Sequence, residues 1–276
     1  MHGSHLGRRH NADPSAVSVG TATIDQRHRR SQRTLAEETP IALVYNGTTL
    51  AVVMATPADL LDLARGFSLT EGIVGNLAEI DDFEEVRHCD GIELRMWLRP
   101  EPGRKLMARR RQLIGPTGCG LCGIESLKEA TRPLPRLKRA AGFRADHIAT
   151  AIEAMADAQD LNHATRATHA AGYYTANGGL LMLREDVGRH NAVDKLAGAL
   201  AARSIPSDSG ALVLTSRVSI ELVQKAAAIG INVLIAVSAP TALAVRTAAA
   251  CRITLVGIAR GQDFEIFSHA DAIRAG

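Results

Sequence analysis

The sequence predicts an α/β domain preceded by a smaller α+β region, and three observations carry that reading. Near the front, two apolar runs flank Asn46-Gly47. Over residues 115–123 a stretch dense in glycine interrupts the pattern. In the last third, three short apolar runs alternate with two helical patterns, and strand, helix, strand, helix, strand at this spacing argues for parallel strands joined by crossovers. The expected divisions are a disordered basic arm over residues 1–34, an α+β region over 35–115, and an α/β domain over 116–276 that opens with a Cys-x-x-Cys loop.

Taken in order, residues 1–34 are rich in His, Arg, Ser and Gly without hydrophobic periodicity, which predicts an unstructured arm with order beginning near Ile41. Residues 41–45 and 50–54 read as the strands of a hairpin, because Asn-Gly supplies the positive φ angles of a tight turn. Pro57 opens a helix of about ten residues with Leu60, Leu61, Ala64 and Phe67 on one face. Residues 84–88 and 92–98 read as strands. After the glycine-rich break, residues 146–158 form a helix with Asp146 as N-cap. Residues 180–183 are a strand leading into a helix that buries Val193, Leu196, Ala197 and Leu200. Residues 211–215 are the first of the three parallel strands. A helix follows, capped by Ser219, carrying a Glu221–Lys225 pair and ended by Gly230. Residues 231–237 and 253–258 are the second and third strands, with a helix ending near Ala250 between them.

Composition excludes several function classes. Aromatic residues make up 3% of the chain, too few for a platform on which single-stranded nucleic acid stacks. The net charge of +3 comes from the arm, which holds six arginines against two acids, while the rest of the chain has 26 basic and 27 acidic residues. The body therefore offers no general nucleic-acid footprint, although Arg109, Arg110 and Arg111 can contact an anion. No apolar run approaches the roughly 20 residues needed to span a bilayer, and no apolar stretch follows Arg8-Arg9, so the expected location is the cytoplasm. Four cysteines in 276 residues are not a disulfide scaffold.

Two places concentrate chemistry. If the three strands are parallel, Ser216-Arg217, Ser238 with its neighbours to Thr241, and Ala259-Arg260-Gly261 share the carboxyl edge, where open α/β sheets place ligands. Helix N-termini there favour anions such as phosphate, with Arg217 and Arg260 as charge-assisted donors; ordinary capping with solvated arginines is the competing reading. The strand-to-helix junction beginning at Arg184 groups Asp186, Arg189, His190 and Asn191, all able to hydrogen-bond a ligand, whereas Asp194 and Lys195 suit a structural ion pair. His163 and His169 bracket a small-residue stretch just upstream, where core histidines bonded to backbone are the plain alternative. The second place is Cys119-Gly120-Leu121-Cys122, whose thiols can cycle through a disulfide, carry a persulfide, or supply half of a zinc site. A closed structural zinc needs four ligands, and Cys89 and Cys251 do not form a second such pair. Cys251, at the end of an alanine run, reads as core packing.

The chain resembles the formate dehydrogenase accessory sulfurtransferases, the FdhD family. Over residues 38–267 the resemblance rests, in order, on residues 58–72 (Ala-Asp-Leu-Leu-Asp-Leu-Ala-Arg-Gly-Phe-Ser-Leu-Thr-Glu-Gly), 119–123, 184–195, 216–230, 237–245 and 257–261. The string Arg-Glu-Asp-Val-Gly-Arg-His-Asn-Ala-Val-Asp-Lys beside such a cysteine loop is its most specific part. The resemblance implies a cytoplasmic homodimer with a cytidine-deaminase-like three-layer α/β domain. It implies that sulfur passes from a cysteine desulfurase to the molybdenum (or tungsten) cofactor, in its bis-molybdopterin guanine dinucleotide form, before formate dehydrogenase receives it. No permanently bound metal is then expected, and a non-catalytic cofactor-binding chaperone is the alternative. By the same resemblance Cys119 bears the persulfide with Cys122 as its partner, and Ile258, Ala259, Arg260, Gly261, Gln262 and Asp263 match the stretch that contacts the guanine nucleotide. His163, Arg166 and the sheet-edge residues would meet the same ligand. One departure is that Arg166-Ala167 stand where the family usually shows glycines. The zinc deaminase signature, His-x-Glu followed by Pro-Cys-x-x-Cys, is absent, so the implied fold does not carry deaminase activity with it.

Overall fold

A computed structural model of the chain describes residues 14–23, 29–114, 134–138 and 142–274. Cys119 and Cys122 lie outside the described residues, as does the arm's first segment, residues 1–13.

The last two-fifths of the chain build a six-stranded sheet. Its strands are β8 (His169–Thr175), β9 (Gly179–Asp186), β10 (Ala211–Leu214), β11 (Val233–Ala236), β12 (Thr254–Arg260) and β13 (Asp263–Ser268), in the order β13-β12-β11-β10-β8-β9. β10, β11 and β12 pair in parallel as the alternation predicts, and β8, β9 and β13 add antiparallel ladders. Strands covered on both faces read as continuous apolar runs, and β10 and β11 are buried at every position. The two-residue period divides them. Leu212, Leu214 and Leu234 face α5 (Arg189–Ala202), α6 (Ile220–Ala228) and α7 (Ala242–Cys251). Val213, Val233 and Ile235 face α3 (Ala145–Asp157) together with Phe143 of the short strand β7 (Phe143–Arg144). Cys251 is buried packing, and burial raises its thiol pKa.

The N-terminal α+β region is a four-stranded sheet, β4-β3-β6-β5, made by β3 (Thr39–Tyr45), β4 (Thr48–Ala55), β5 (Ile80–Arg87) and β6 (Ile92–Leu98). The hairpin turn falls on Asn46 and Gly47, both at positive φ. α1 (Leu60–Thr70) covers this sheet through Leu60, Leu63 and Ala64, and its other side packs on α5. Gly66 and Gly198 make that crossing tight. A Cβ built on Gly66 would fall 1.6 Å from the Asp194 carbonyl oxygen, and one on Gly198 would fall 2.0 Å from that of Asp62. None of the described helices is long and apolar enough to cross a membrane.

Five expectations need correction. The arm is not unstructured to residue 34, because β1 (Ala16–Thr23) and β2 (Arg29–Ala36) pair as an antiparallel ribbon, and β2 finds tertiary support on the short helix α4 (Asp160–Thr165). α1 begins at Leu60 after a left-handed Asp59, with Leu63 turned inward and Leu61 exposed. α2 (Pro100–Ile114), which has proline at its first position, was not anticipated. Its Arg109 donates to the Glu71 carbonyl at 2.9 Å. Asp146 sits in the first turn of α3 rather than at its cap, and pairs with Arg144 at 2.9 Å. Finally, Lys225 turns away from Glu221 into the protein, where Asp194 at 2.9 Å and Glu71 at 2.7 Å take its charge.

Candidate functional site

The carboxyl ends of β10, β11 and β12 form one edge, and β9, running parallel to them beyond the opposed β8, ends there too. The loops leaving these strands are laced together. Val218 N–H donates to the Ala239 carbonyl at 3.2 Å, Thr241 N–H to the Val218 carbonyl at 2.9 Å, and Ile258 N–H to the Ser238 carbonyl at 3.3 Å. The lacing holds Ser216, Arg217, Ser238 and Ile258 side by side. Ser216 is buried and donates to the Arg217 carbonyl at 3.1 Å, while the Arg217 side chain is exposed. Ser238 does not cap α7; Thr241 does, accepting from Ala244 N–H at 3.2 Å.

The backbone of the predicted nucleotide stretch is irregular. The β12–β13 ladder shifts register between Gly257 and Arg260, and Ile258 takes φ 52°, a left-handed conformation costly for a β-branched residue. Gly257 has no room for a Cβ without crowding Pro240 and Phe267 at 3.0 Å. Ala259 is buried, whereas Arg260, Gly261, Gln262 and Asp263 make an exposed turn with Gly261 at φ 55°.

The same edge receives the N-terminus of α5, whose first residues are Arg189 and His190. Buried Arg189 Nε and His190 Nε2 have no hydrogen-bond partner among the described residues. His169 opens β8 opposite Asp186 in the ladder. Burial holds both imidazoles below their ordinary pKa, and the Arg189 charge lowers them further. Glu221, in the first turn of α6, is held below the ordinary carboxylate pKa by the neighbouring Ser219 hydroxyl first and to a lesser degree by His190 and Arg189. The edge therefore combines the cationic Arg189 and Arg217 with two half-buried imidazoles and helix N-termini, a setting suited to an anionic ligand.

Not every predicted residue turns toward this edge. Asp186 and Asn191 face inward. Asp186 binds Lys195 Nζ at 2.6 Å and accepts from Gly188 N–H at 2.7 Å, Thr56 N–H at 3.1 Å and Asn191 Nδ2 at 3.0 Å. Asn191 Nδ2 also donates to the Met54 carbonyl at 2.7 Å. The expected ion pairing of Asp194 and Lys195 is realised, but with distant partners: Lys195 with Asp186 and Asp194 with Lys225. His163 is exposed on α4, whose first N–H groups donate to Glu185, and His169 is the histidine brought to the edge. Sequence reasoning missed Thr56 altogether, and its only local signal was its place before Pro57 at a strand-to-helix turn.

Comparison with known proteins agrees with this architecture. The family model described as the FdhD/NarQ family matches residues 36–274. A protein named Sulfur carrier protein FdhD from Agrobacterium fabrum is 51% identical over 243 residues, covering 88% of this chain and 90% of its own. A protein of the same name from Cupriavidus necator is 48% identical, covering 87% and 83%. The fold is similar to a crystal structure provisionally described as a formate dehydrogenase accessory protein of Desulfotalea psychrophila. Its TM-score is 0.74 at 23% identity, over 94% of this chain and 100% of that one. With its family model matched over residues 36–274 and relatives near half identity, the chain belongs to the FdhD/NarQ family.

Proposed function

We propose that this protein is a cytoplasmic, homodimeric sulfur carrier for formate dehydrogenase. In this reading Cys119 takes a sulfur from a cysteine desulfurase and delivers it to the molybdenum cofactor, bound by its guanine dinucleotide at the carboxyl edge of the six-stranded sheet. The observation that carries the reading is the gathering of Arg189, His190, Arg217, Ser216 and the left-handed Ile258 on that one edge, which suits a phosphate-bearing ligand. The name borne by the relatives and the Cys-x-x-Cys of this sequence supply the chemistry. The acceptor is cargo, and the protein's part is to hold its phosphates and present sulfur to it.

The transfer balances in two steps. The Cys119 thiolate attacks the terminal sulfur of the desulfurase persulfide; a new S–S bond forms on Cys119, the donor's S–S bond breaks, and the desulfurase cysteine leaves as thiolate. The Cys122 thiolate then attacks Cys119 Sγ and forms a Cys119–Cys122 disulfide. The terminal sulfur departs with the electron pair, at the oxidation level of sulfide, to the acceptor. The disulfide retains the two oxidising equivalents until an external dithiol reduces it.

Mass spectrometry after incubation with desulfurase and cysteine tests the first step. One added sulfur, ~32 Da, is expected on Cys119 and none on the Cys119→Ala protein, which should also fail to activate formate dehydrogenase. Full activation by a Cys119→Ala, Cys122→Ala double variant would leave only a non-catalytic cofactor chaperone.

A further inference from the structure

Arg189 and His190 are flanked by two residues that cannot move freely, and the constraint comes from the N-terminal region. On one side Gly188 N–H is held by Asp186 Oδ1 at 2.7 Å; on the other, Asn191 Nδ2 bridges the same oxygen at 3.0 Å and the Met54 carbonyl at 2.7 Å. Asp186 is itself fixed. Its second oxygen meets Lys195 Nζ at 2.6 Å and Thr56 N–H at 3.1 Å. Thr56 then closes the knot with its other two polar groups. Its hydroxyl accepts from Val187 N–H at 3.1 Å and its carbonyl accepts from Lys195 Nζ at 2.9 Å. Thr56, Asp186 and Lys195 are all at 0% exposure.

A buried ion pair that served only cohesion would need one partner on each side. Here a single residue of the β4–α1 loop uses N–H, C=O and hydroxyl together, on the last residue of β9, on the two-residue link that follows it and on the first turns of α5. What this fixes is the direction in which the first turn of α5 points.

We propose that Thr56, Asp186 and Lys195 are positioning residues. Through them the N-terminal region aims the first turn of α5 so that Arg189 and His190 face the phosphates of the acceptor. This rests on the reading of the sheet edge as the nucleotide site, and it gives Asp186 and Asn191 a supporting role in place of direct contact with the ligand. It also gives the N-terminal region a part in cofactor capture, although none of the residues expected to touch the ligand lies in that region.

The test uses the full chain and guanosine diphosphate as the probe for the nucleotide half of the acceptor. Thr56→Val keeps the size of the side chain and removes the acceptor for Val187 N–H; Thr56→Ser keeps the acceptor. By calorimetry Thr56→Val should bind guanosine diphosphate about five- to tenfold more weakly, the scale of one lost buried hydrogen bond, and Thr56→Ser should restore binding to within about twofold. Persulfide loading of Cys119 by the desulfurase should stay at the wild-type level in both, which a general loss of structure would not allow. Thr56→Ala is the second variant in case the valine methyl prevents folding, and weakened binding with normal loading is again the expected result. A folded Thr56→Val or Thr56→Ala protein that binds the probe like wild type overturns the positioning role alone. A wild-type protein that does not bind it overturns the nucleotide-site reading and the positioning role together.

Discussion

Arg166 ends α4 at φ 59° and ψ 26°, where the Cβ of an ordinary residue crowds its own backbone. Its N–H closes the helix on the Asn162 carbonyl at 2.7 Å, so the left-handed turn is what terminates α4 and sends the chain toward His169. Glycine adopts this conformation without steric cost but loses more entropy on folding, and the two effects partly offset. Arg166→Gly is therefore expected to stabilise the protein by about 0.5–1 kcal/mol, which a melting experiment would record as a rise of a few degrees at most. A fall in melting temperature would mean that the exposed arginine side chain makes a contact worth more than the strain. Ile258 has the same backbone sign in a very different setting, half-buried at the edge where β12 loses register with β13. Strain at an exposed cap is easily removed, whereas strain at the edge of a candidate site shapes what the site can hold.

Among the elements, the crossing of α1 and α5 does most to decide the architecture. Each helix offers a glycine to the other's backbone, so neither position can yield by rotating a side chain. Gly198→Ala would set a methyl against the Asp62 carbonyl and force the helices apart. A loss of at least about 3 kcal/mol, the upper range of overpacking, is expected. Chemical denaturation would read it as a lower midpoint, and an unchanged midpoint would mean that the crossing can slide. The apolar rhythm of α5 was legible in Val193, Leu196 and Leu200, because a helix facing a core repeats its demand every turn. The β10-α6-β11-α7-β12 succession was legible for the same reason, since buried parallel strands must be apolar throughout. α2 was not, because after Pro100 and Pro102 its exposed face is mostly charged beside an exposed Met107, and among its described side chains Leu106 is the one large apolar residue that is buried. The β1–β2 ribbon was missed because β2 lies against α4, a relation between residues more than a hundred positions apart that local propensity does not carry.

Across the whole molecule, two buried charge knots on neighbouring residues of α5 tie the N-terminal sheet to the larger one: Lys195 with Asp186 around Thr56, and Asp194 with Lys225 beside Thr70 and Glu71. Sequence reading could place Asp194 and Lys195 in ion pairs, but their partners lie on β9 and α6, and only the fold chooses them. It found Arg189 and His190 by the density of polar types near one turn. It could not separate them from Asp186 and Asn191, since in sequence all four look equally available and burial alone tells them apart. That division sets the pH response. His169 and His190 are held below the ordinary imidazole pKa, by burial first and by Arg189 second. Between roughly pH 6.5 and their lower folded values, the unfolded chain binds protons that the folded one refuses. Stability is therefore full above about 6.5 and declines as pH falls through that window. The carboxylate Glu221, whose folded pKa is depressed, loses its contribution only further down, below the ordinary carboxylate range. An anion on the edge reverses the imidazole effect, because it favours the protonated rings. Guanosine diphosphate should thus raise the melting temperature more at pH 6 than at pH 8, and His190→Gln should reduce the difference. Equal protection at both pH values in the wild type would show that the phosphates sit away from these two rings.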